Sequence, residues 1–196
     1  MLKVENLNVA YGQSHIVHDV SFEVKPREIV AVMGRNGMGK STLLKSLIGM
    51  VPPKSGKVEV NGTDVTFLES YRHVENGIAF VPQGRHVFSN LTVEENIRAG
   101  LRIKEHWVQL RTEVYSIFDV LCKMRGRKAG NLSGGQQQQL AIARALVAEP
   151  RVLILDEPTE GIQPSIINDP ARQINDLKPS KDLAIVVSEQ VLSFTI

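Results

Sequence analysis

A glycine-rich segment at residues 34–41, with the sequence GRNGMGKS, constrains this chain more than any other feature. It matches the pattern G-x-x-x-x-G-K-[ST], follows the apolar run 29–33, and precedes a stretch with Leu43, Leu44 and Leu47 on one helical face. Glycines let backbone N–H groups approach phosphate oxygens, and the following helix N-terminus adds a favourable dipole. From average residue usage, a chance match to this pattern is expected at most about once in a hundred chains of this length. The segment therefore predicts a phosphate-binding loop.

Two side chains of this loop have distinct expected roles. Lys40 is expected to neutralise the β- and γ-phosphates, and Ser41 to offer its hydroxyl to Mg²⁺. The expected nucleotide-binding residues of the loop are Gly34, Asn36, Gly37, Gly39, Lys40, Ser41 and Thr42.

A second motif is the buried strand at 151–155 that ends in two carboxylates, Asp156 and Glu157. The carboxyl end of a parallel strand is where α/β proteins present ligands. Asp156 is expected to hold Mg²⁺ through water, and Glu157 to accept the proton of the water that attacks the γ-phosphate. Taken alone, the motif fits a solvated acidic turn before Pro158 equally well, and the phosphate loop upstream favours the catalytic interpretation.

Apolar patterning predicts an α/β fold with two kinds of sheet. The runs 2–9, 20–24 and 29–33 predict strands that begin an N-terminal antiparallel β layer, to which Val58 and Val60 add a strand. Short uninterrupted apolar runs at 78–81, 152–155 and 183–187 predict a buried, mainly parallel sheet.

Residues 91–148 lack strand signals and show helical periodicity, which predicts an inserted helical subdomain. Thr92 with Glu95, and Ser133 with Gln136, have the spacing of capping boxes. We expect one domain over 1–196, with 1–90 and 149–196 as its core.

Composition excludes several classes of protein. The net charge is only +2 and the basic cluster at Arg125, Arg127 and Lys128 is short, so we predict no nucleic-acid partner. The apolar runs fall well below the ~18 residues that span a bilayer. A lone Cys122 excludes an internal disulfide and fits a reducing cytosol. His15 and His18 lie three apart but not on a helical face, so we predict no structural metal.

The segment 132–136, LSGGQ, resembles a motif of ABC ATPases. The other elements of that family fall in order along the sequence, so the resemblance covers nearly the whole chain. A serine-capped helix alone would explain Ser133 but not both glycines. The resemblance implies a P-loop NTPase with a RecA-like core that binds ATP and Mg²⁺. It also implies that Ser133, Gly134, Gly135 and Gln136 face the γ-phosphate of ATP held by an opposite subunit.

The same resemblance assigns two further residues. Tyr11 lies where the family places a ring that stacks on adenine, although a strand tyrosine is more often surface packing. Gln83 matches the family's glutamine that senses Mg²⁺ and the γ-phosphate. We expect Trp107 to pack in the helical subdomain rather than to stack on a base.

A finer resemblance is to the urea branch of the branched-chain amino acid importers. It depends on residues 159–165 and on the glutamines from Gln136 to Gln139. Gln190 stands where the family usually has a switch histidine, and an amide can donate a hydrogen bond but cannot hold a proton. We therefore expect Glu157 to dominate catalysis.

Three features depart from the family. The chain stops six residues after Gln190, so the C-terminal end is expected to be truncated and marginal. Pro170 falls inside a helix predicted over 165–177, where a proline costs ~3 kcal/mol. Arg27 replaces a glycine usual before Glu28.

The function implied is ATP hydrolysis that drives an ABC importer, with urea as substrate and branched-chain amino acids as the alternative. The implied partners are a second ABC ATPase subunit, transmembrane permease subunits and, indirectly, a substrate-binding protein. A groove at Gly84, Arg85, His86, Val87 and Phe88 would receive a short permease helix. The chain would then be cytoplasmic, on the inner face of the membrane.

Two alternatives remain. One is a non-transport ABC ATPase that acts as a clamp in repair or on ribosomes, although no coiled-coil insertion or second ATPase domain is present in the sequence. The other is a P-loop kinase or GTPase, and no guanine-reading Asn-Lys-x-Asp segment is present.

Overall fold

The structure is a computed structural model that describes residues 1–159 and 182–190. Some of the predicted features lie outside these residues. They are the helix predicted over 165–177 with its Pro170, and the segment after Thr159 that resembles the urea branch. The chain end after Gln190 also lies outside them.

Eight strands and six α-helices are described. The strands are β1 (Leu2–Tyr11), β2 (Ser14–Val24), β3 (Ile29–Met33), β4 (Ser55–Val60), β5 (Thr63–Asp64), β6 (Ile78–Val81), β7 (Val152–Asp156) and β8 (Ala184–Glu189). The helices are α1 (Lys40–Leu47), α2 (Ser70–Glu75), α3 (Val93–Arg98), α4 (Trp107–Ile117), α5 (Asp119–Lys123) and α6 (Gly134–Leu146). Short 3₁₀ turns cover Lys104–His106 and Ala129–Asn131.

The strands form an antiparallel sheet, β2-β1-β4-β5, and a parallel sheet, β3-β8-β7-β6. The α/β class with both sheet types is therefore confirmed. The placement of Ile29–Met33 in the antiparallel layer was wrong, because this strand pairs in parallel with β8. Its five residues are all apolar, which is typical of a strand covered on both faces rather than of a half-exposed antiparallel strand.

The parallel sheet is the central layer. In β7, Val152 and Ile154 pack on α1 and the antiparallel sheet, whereas Leu153 and Leu155 face the helices between β6 and β7. All four side chains are fully buried. Alternate residues of β7 thus pack in two separate cores. This packing holds in place the carboxyl end of the strand, where Asp156 lies.

Helices α3 to α6 all lie between β6 and β7, in the stretch predicted to be helical. Both capping boxes are present, at Thr92 with Glu95 and at Ser133 with Gln136. Trp107 packs on the core of this region, as expected. The division of the chain into a core and a helical subdomain remains a prediction.

Arg27, where the family resemblance implies glycine, has a φ of 64°, in the left-handed region that glycine adopts without strain. Its Nε atom lies 2.9 Å from Oδ1 of Asp182 in an exposed ion pair, and its backbone N–H donates to the Leu183 carbonyl. The chain therefore keeps the turn despite the side chain.

Candidate nucleotide-binding and catalytic site

The phosphate loop connects the end of β3 to the start of α1. Gly37 and Gly39 have φ values of 80° and 90°. A Cβ at Gly39 would lie 2.9 Å from the Ile16 side chain and 3.1 Å from the Ile16 carbonyl oxygen. Glycine is therefore required at position 39 both by backbone conformation and by the close approach of β2.

Lys40 is the first residue of α1 and is buried. Its Nζ atom donates to the carbonyl oxygens of Gly34, at 2.7 Å, and Arg35, at 3.2 Å. It also lies 3.1 Å from Oε1 of Glu157. The ammonium is thus directed across the loop toward the predicted catalytic carboxylate.

A cleft of about 370 Å³ opens beside the loop. It is lined by Ile16, Asn36, Gly37, Gly39, Lys40, Ser41, Thr42, Gln83 and Glu157. All of these except Ile16 were predicted as site residues. The cleft combines backbone N–H groups, one ammonium, one carboxylate and small polar side chains, which suits a polyphosphate.

Asp156 ends β7 and is buried, and its Oδ1 atom accepts a hydrogen bond from Ser41 Oγ at 3.2 Å. A hydroxyl and a carboxylate oxygen are the hard oxygen ligands that Mg²⁺ takes, usually together with waters and substrate phosphates. These two residues therefore fit the predicted magnesium ion.

Glu157 has a φ of 46°, so its backbone turns sharply after β7. Its Oε2 atom accepts hydrogen bonds from the side-chain amides of Gln190, at 2.6 Å, and Gln83, at 3.4 Å. The three predicted catalytic residues are thus brought together, with two amides directed at one oxygen of the carboxylate.

Ser133 caps α6, and its Oγ atom accepts from the Gln136 N–H at 3.3 Å. A Cβ at Gly134 would lie 3.0 Å from a guanidinium nitrogen of Arg85, so the glycine admits this close side chain. The predicted residues Ser133, Gly134, Gly135 and Gln136 do not line the cleft of the same chain.

Tyr11 ends β1 and its side chain is half-exposed. It does not line the cleft, but it pairs with Ser14 at the hairpin that leads to Ile16, which does. Its stacking on a base remains a prediction.

The family model described as "ABC transporter" matches residues 17–160. The chain belongs to the ABC transporter family. Members of this family are ATPases that bind ATP, so this ABC ATPase has the enzymatic activity predicted from its motifs.

Curated relatives of this ABC ATPase include two branched-chain amino acid transport ATP-binding proteins. One is the probable LivF protein of Archaeoglobus fulgidus, 42% identical over 192 residues, which cover 97% of this chain and 81% of the relative. The other is the high-affinity BraG protein of Pseudomonas aeruginosa, 43% identical over 85% of this chain and 72% of the relative. The lipopolysaccharide export ATP-binding protein LptB of Haemophilus influenzae is 33% identical over 96% of this chain and 80% of the relative. No urea transporter is among these three relatives.

Solved structures agree with the fold. A nucleotide-free ATP-binding cassette from an ABC transporter has a TM-score of 0.89 and 26% identity, over 99% of this chain and 83% of that chain. A dimeric bacterial ABC transporter cassette has a TM-score of 0.83 and 25% identity, over 99% of this chain and 90% of that chain. The predicted P-loop NTPase fold is therefore confirmed.

Two residues of the site were not identified from the sequence. Ile16 lines the cleft because β2 crosses the phosphate loop at Gly39. Ser188 is fully buried and donates to Oδ1 of Asp156 at 2.7 Å. A polar residue at the end of the apolar run 183–187 was a signal for Ser188, and Ile16 had none.

The helices of the described residues are short, the longest having 13 residues, and none of them reaches the length of apolar sequence that a membrane span requires.

Proposed function

We propose that this ABC ATPase energises an importer of branched-chain amino acids. The site roles depend on one observation, namely that Lys40, Gln83 and Gln190 all contact the carboxylate of Glu157 beside the phosphate loop. The substrate proposal depends on the similarity to the LivF and BraG proteins over most of the chain. Urea, our first prediction, is supported only by the resemblance of residues 159–165 and of the glutamines after Gly135.

The phosphates of ATP bind the loop from Gly34 to Thr42, and Lys40 moves from Glu157 toward the β- and γ-phosphates. Oε1 of Glu157 is then free to accept the proton of the attacking water. Gln83 and Gln190 hold the other carboxylate oxygen and so fix the orientation of the base. Mg²⁺, held by Ser41 and Asp156, would neutralise charge on the phosphates when bound.

The site is completed by a second ATPase subunit, of the same or a different chain. Ser133 and the N–H groups at the start of α6 lie outside the cleft of their own chain, where they can bind the γ-phosphate of a nucleotide held by a partner. ATP then closes the pair and hydrolysis reopens it.

A second groove, of about 330 Å³, is proposed to receive a short helix of the permease. Phe80, His86, Phe88 and Arg144 are among its lining residues. Gly84, Arg85 and His86 all have φ values between 47° and 83°, and Arg144 donates to the His86 carbonyl at 2.9 Å. Of the residues predicted for this groove, His86 and Phe88 line it, whereas Gly84, Arg85 and Val87 do not. Because His86 lies shortly after Gln83 in the chain, movement of that glutamine would reach the permease. A substrate-binding protein would act only through the permease, with the ATPase on the cytoplasmic face of the membrane.

The test of the catalytic role is Glu157→Gln. The variant should bind MgATP and form an ATP-dependent dimer, measured by size-exclusion chromatography with light scattering, while hydrolysis falls at least about 100-fold. Hydrolysis at the parent rate would refute the assigned base.

The test of the substrate is uptake of labelled leucine and labelled urea in cells that lack this subunit. We expect leucine uptake to fall and to return with the parent chain but not with Glu157→Gln. Loss of urea uptake with unchanged leucine uptake would overturn the branched-chain assignment. Loss of neither, with nucleic acid recovered on the purified chain, would favour the clamp.

A further inference from the structure

Ser188 occupies a central place in the parallel sheet. It lies in β8, between β3 and β7, and is paired in register with Asp156. The residues before it, Ala184 to Val187, are all apolar and fully buried, and Ser188 is itself fully buried. Most hydroxyls at this depth have a hydrogen-bond partner.

Both partners of this hydroxyl belong to the site. Ser188 Oγ donates to Oδ1 of Asp156 at 2.7 Å and accepts from the backbone N–H of Glu157 at 3.0 Å. Its donor and its acceptor capacity are therefore used on adjacent residues with different proposed roles.

The contact with Asp156 restricts its carboxylate. Oδ1 accepts from Ser188 at 2.7 Å on one side and from Ser41 at 3.2 Å on the other. A carboxylate held by two hydroxyls keeps one rotamer, and that rotamer faces the start of α1.

The contact with Glu157 restricts its backbone. The N–H of Glu157 also approaches the carbonyl oxygen of Ser188, at 3.2 Å. Glu157 has a left-handed φ of 46°, a conformation that a non-glycine residue keeps only when its surroundings hold it. Ser188 supplies part of that restraint.

We propose that Ser188 is a positioning residue for the magnesium site, acting through the orientation of Asp156. The inference rests on the proposed function and extends it to a residue that binds neither the nucleotide nor the ion directly. Residues that hydrogen-bond to a metal ligand typically change metal affinity or activity by about 10- to 100-fold when they are replaced. A serine that only fills space would not change the dependence on Mg²⁺.

The test measures nucleotide affinity rather than turnover. In the Glu157→Gln background, a fluorescent ATP analogue is titrated once with Mg²⁺ and once with EDTA. Ser188→Ala should weaken binding about tenfold or more with Mg²⁺, shift the half-saturating Mg²⁺ concentration upward, and leave binding in EDTA unchanged. If Ser188→Ala and its parent bind the analogue equally well in the presence of Mg²⁺, the proposal is overturned.

Ser188→Thr and Ser188→Val form a matched pair, because they have the same shape and differ by the hydroxyl. Ser188→Thr should bind as the parent does, and Ser188→Val should bind as Ser188→Ala does. If the added methyl group disturbs both, the comparison of Ser188→Ala with its parent decides. Ser46→Ala is the control, since Ser46 is also buried and its Oγ has no hydrogen-bond partner within the described residues.

A failure of the proposed function can be distinguished from a failure of the role proposed for Ser188. If the Glu157→Gln parent does not bind MgATP, the proposed function fails. If the parent binds MgATP and Ser188→Ala binds it equally well, only the role of Ser188 fails.

Discussion

The Nζ atom of Lys40 lies 3.1 Å from Oε1 of Glu157, and the two side chains expose only 5% and 6% of their surface. A buried ion pair contributes little net stability, but removal of one partner leaves an uncompensated charge. The phosphate loop and the catalytic carboxylate are therefore coupled in stability as well as in function.

Lys40→Met should abolish ATP binding and lower the free energy of unfolding by about 3 kcal/mol, because Glu157 loses its buried cation. The double variant with Glu157→Gln should regain most of this stability without regaining ATP binding. Urea unfolding and titration with a fluorescent ATP analogue measure the two effects. Additive losses of stability in the double variant would contradict the coupling.

Gln190→Ala should lower kcat about tenfold or more and change the KM for ATP little, since it removes the 2.6 Å hydrogen bond to Oε2 of Glu157. Gln190→Glu should be less active still at neutral pH, because two adjacent carboxylates raise the pKa of one of them. Phosphate release measured from pH 6 to pH 9 tests both. Unchanged kcat in Gln190→Ala would remove this residue from the catalytic set.

Ser133→Ala and Thr92→Ala remove the same kind of helix cap and should each cost ~1 kcal/mol of stability. Only Ser133→Ala should prevent the ATP-dependent dimerisation of the Glu157→Gln background, because only Ser133 is proposed to contact the partner's nucleotide. Light scattering with MgATP separates them. If both variants dimerise equally, Ser133 is a cap and nothing more.

Gly100→Ala should destabilise the chain by about 3 kcal/mol, the upper part of the range for overpacking. A Cβ there would lie 2.0 Å from the Arg144 carbonyl oxygen, a backbone atom of α6 that cannot move aside. Gly126→Ala is the matched control, since a Cβ at Gly126 meets no described atom within 4 Å. Its unfolding free energy should change by less than about 0.5 kcal/mol. Equal stability of the two variants would mean that α6 does not approach Gly100 this closely.

His73 should make folding stability depend on pH. Its ring is fully buried, and burial lowers its pKa although the Leu47 carbonyl at 3.1 Å opposes the shift. As the pH falls below about 6.5, the unfolded chain binds a proton that the folded chain does not. The contribution of His73 to the free energy of unfolding is therefore fully present above that pH. It is lost, by up to about 1.4 kcal/mol per pH unit, as the pH falls toward the pKa of His73 in the folded chain. His73→Leu should show a smaller loss between pH 7 and pH 5, and parallel unfolding curves for parent and variant would contradict this.

Much of the site could be predicted because its residues lie at the ends of strands or in short loops of fixed sequence. The phosphate loop, Asp156, Glu157 and the cap at Ser133 each carry a local pattern. Ser188 stands out only as a polar residue after an apolar run, and no local pattern identifies its hydrogen-bond partners. Its contact with Asp156 spans 32 residues and depends on β8 lying beside β7. Strand order is set by packing of the whole sheet, so that contact and the approach of Ile16 to Gly39 could not be derived from local sequence.

The pairing of β3, β8 and β7 is a constraint on evolution and on protein engineering. The register places Ser188 opposite Asp156, so a one-residue deletion earlier in β8 would bring Glu189 to that place and a one-residue insertion would bring Val187 there. The deletion would place a third acidic group against the magnesium ligand, and the insertion would remove the hydroxyl that donates to Asp156. Insertions or deletions between Ala184 and Val187 should therefore abolish turnover even where the fold tolerates them.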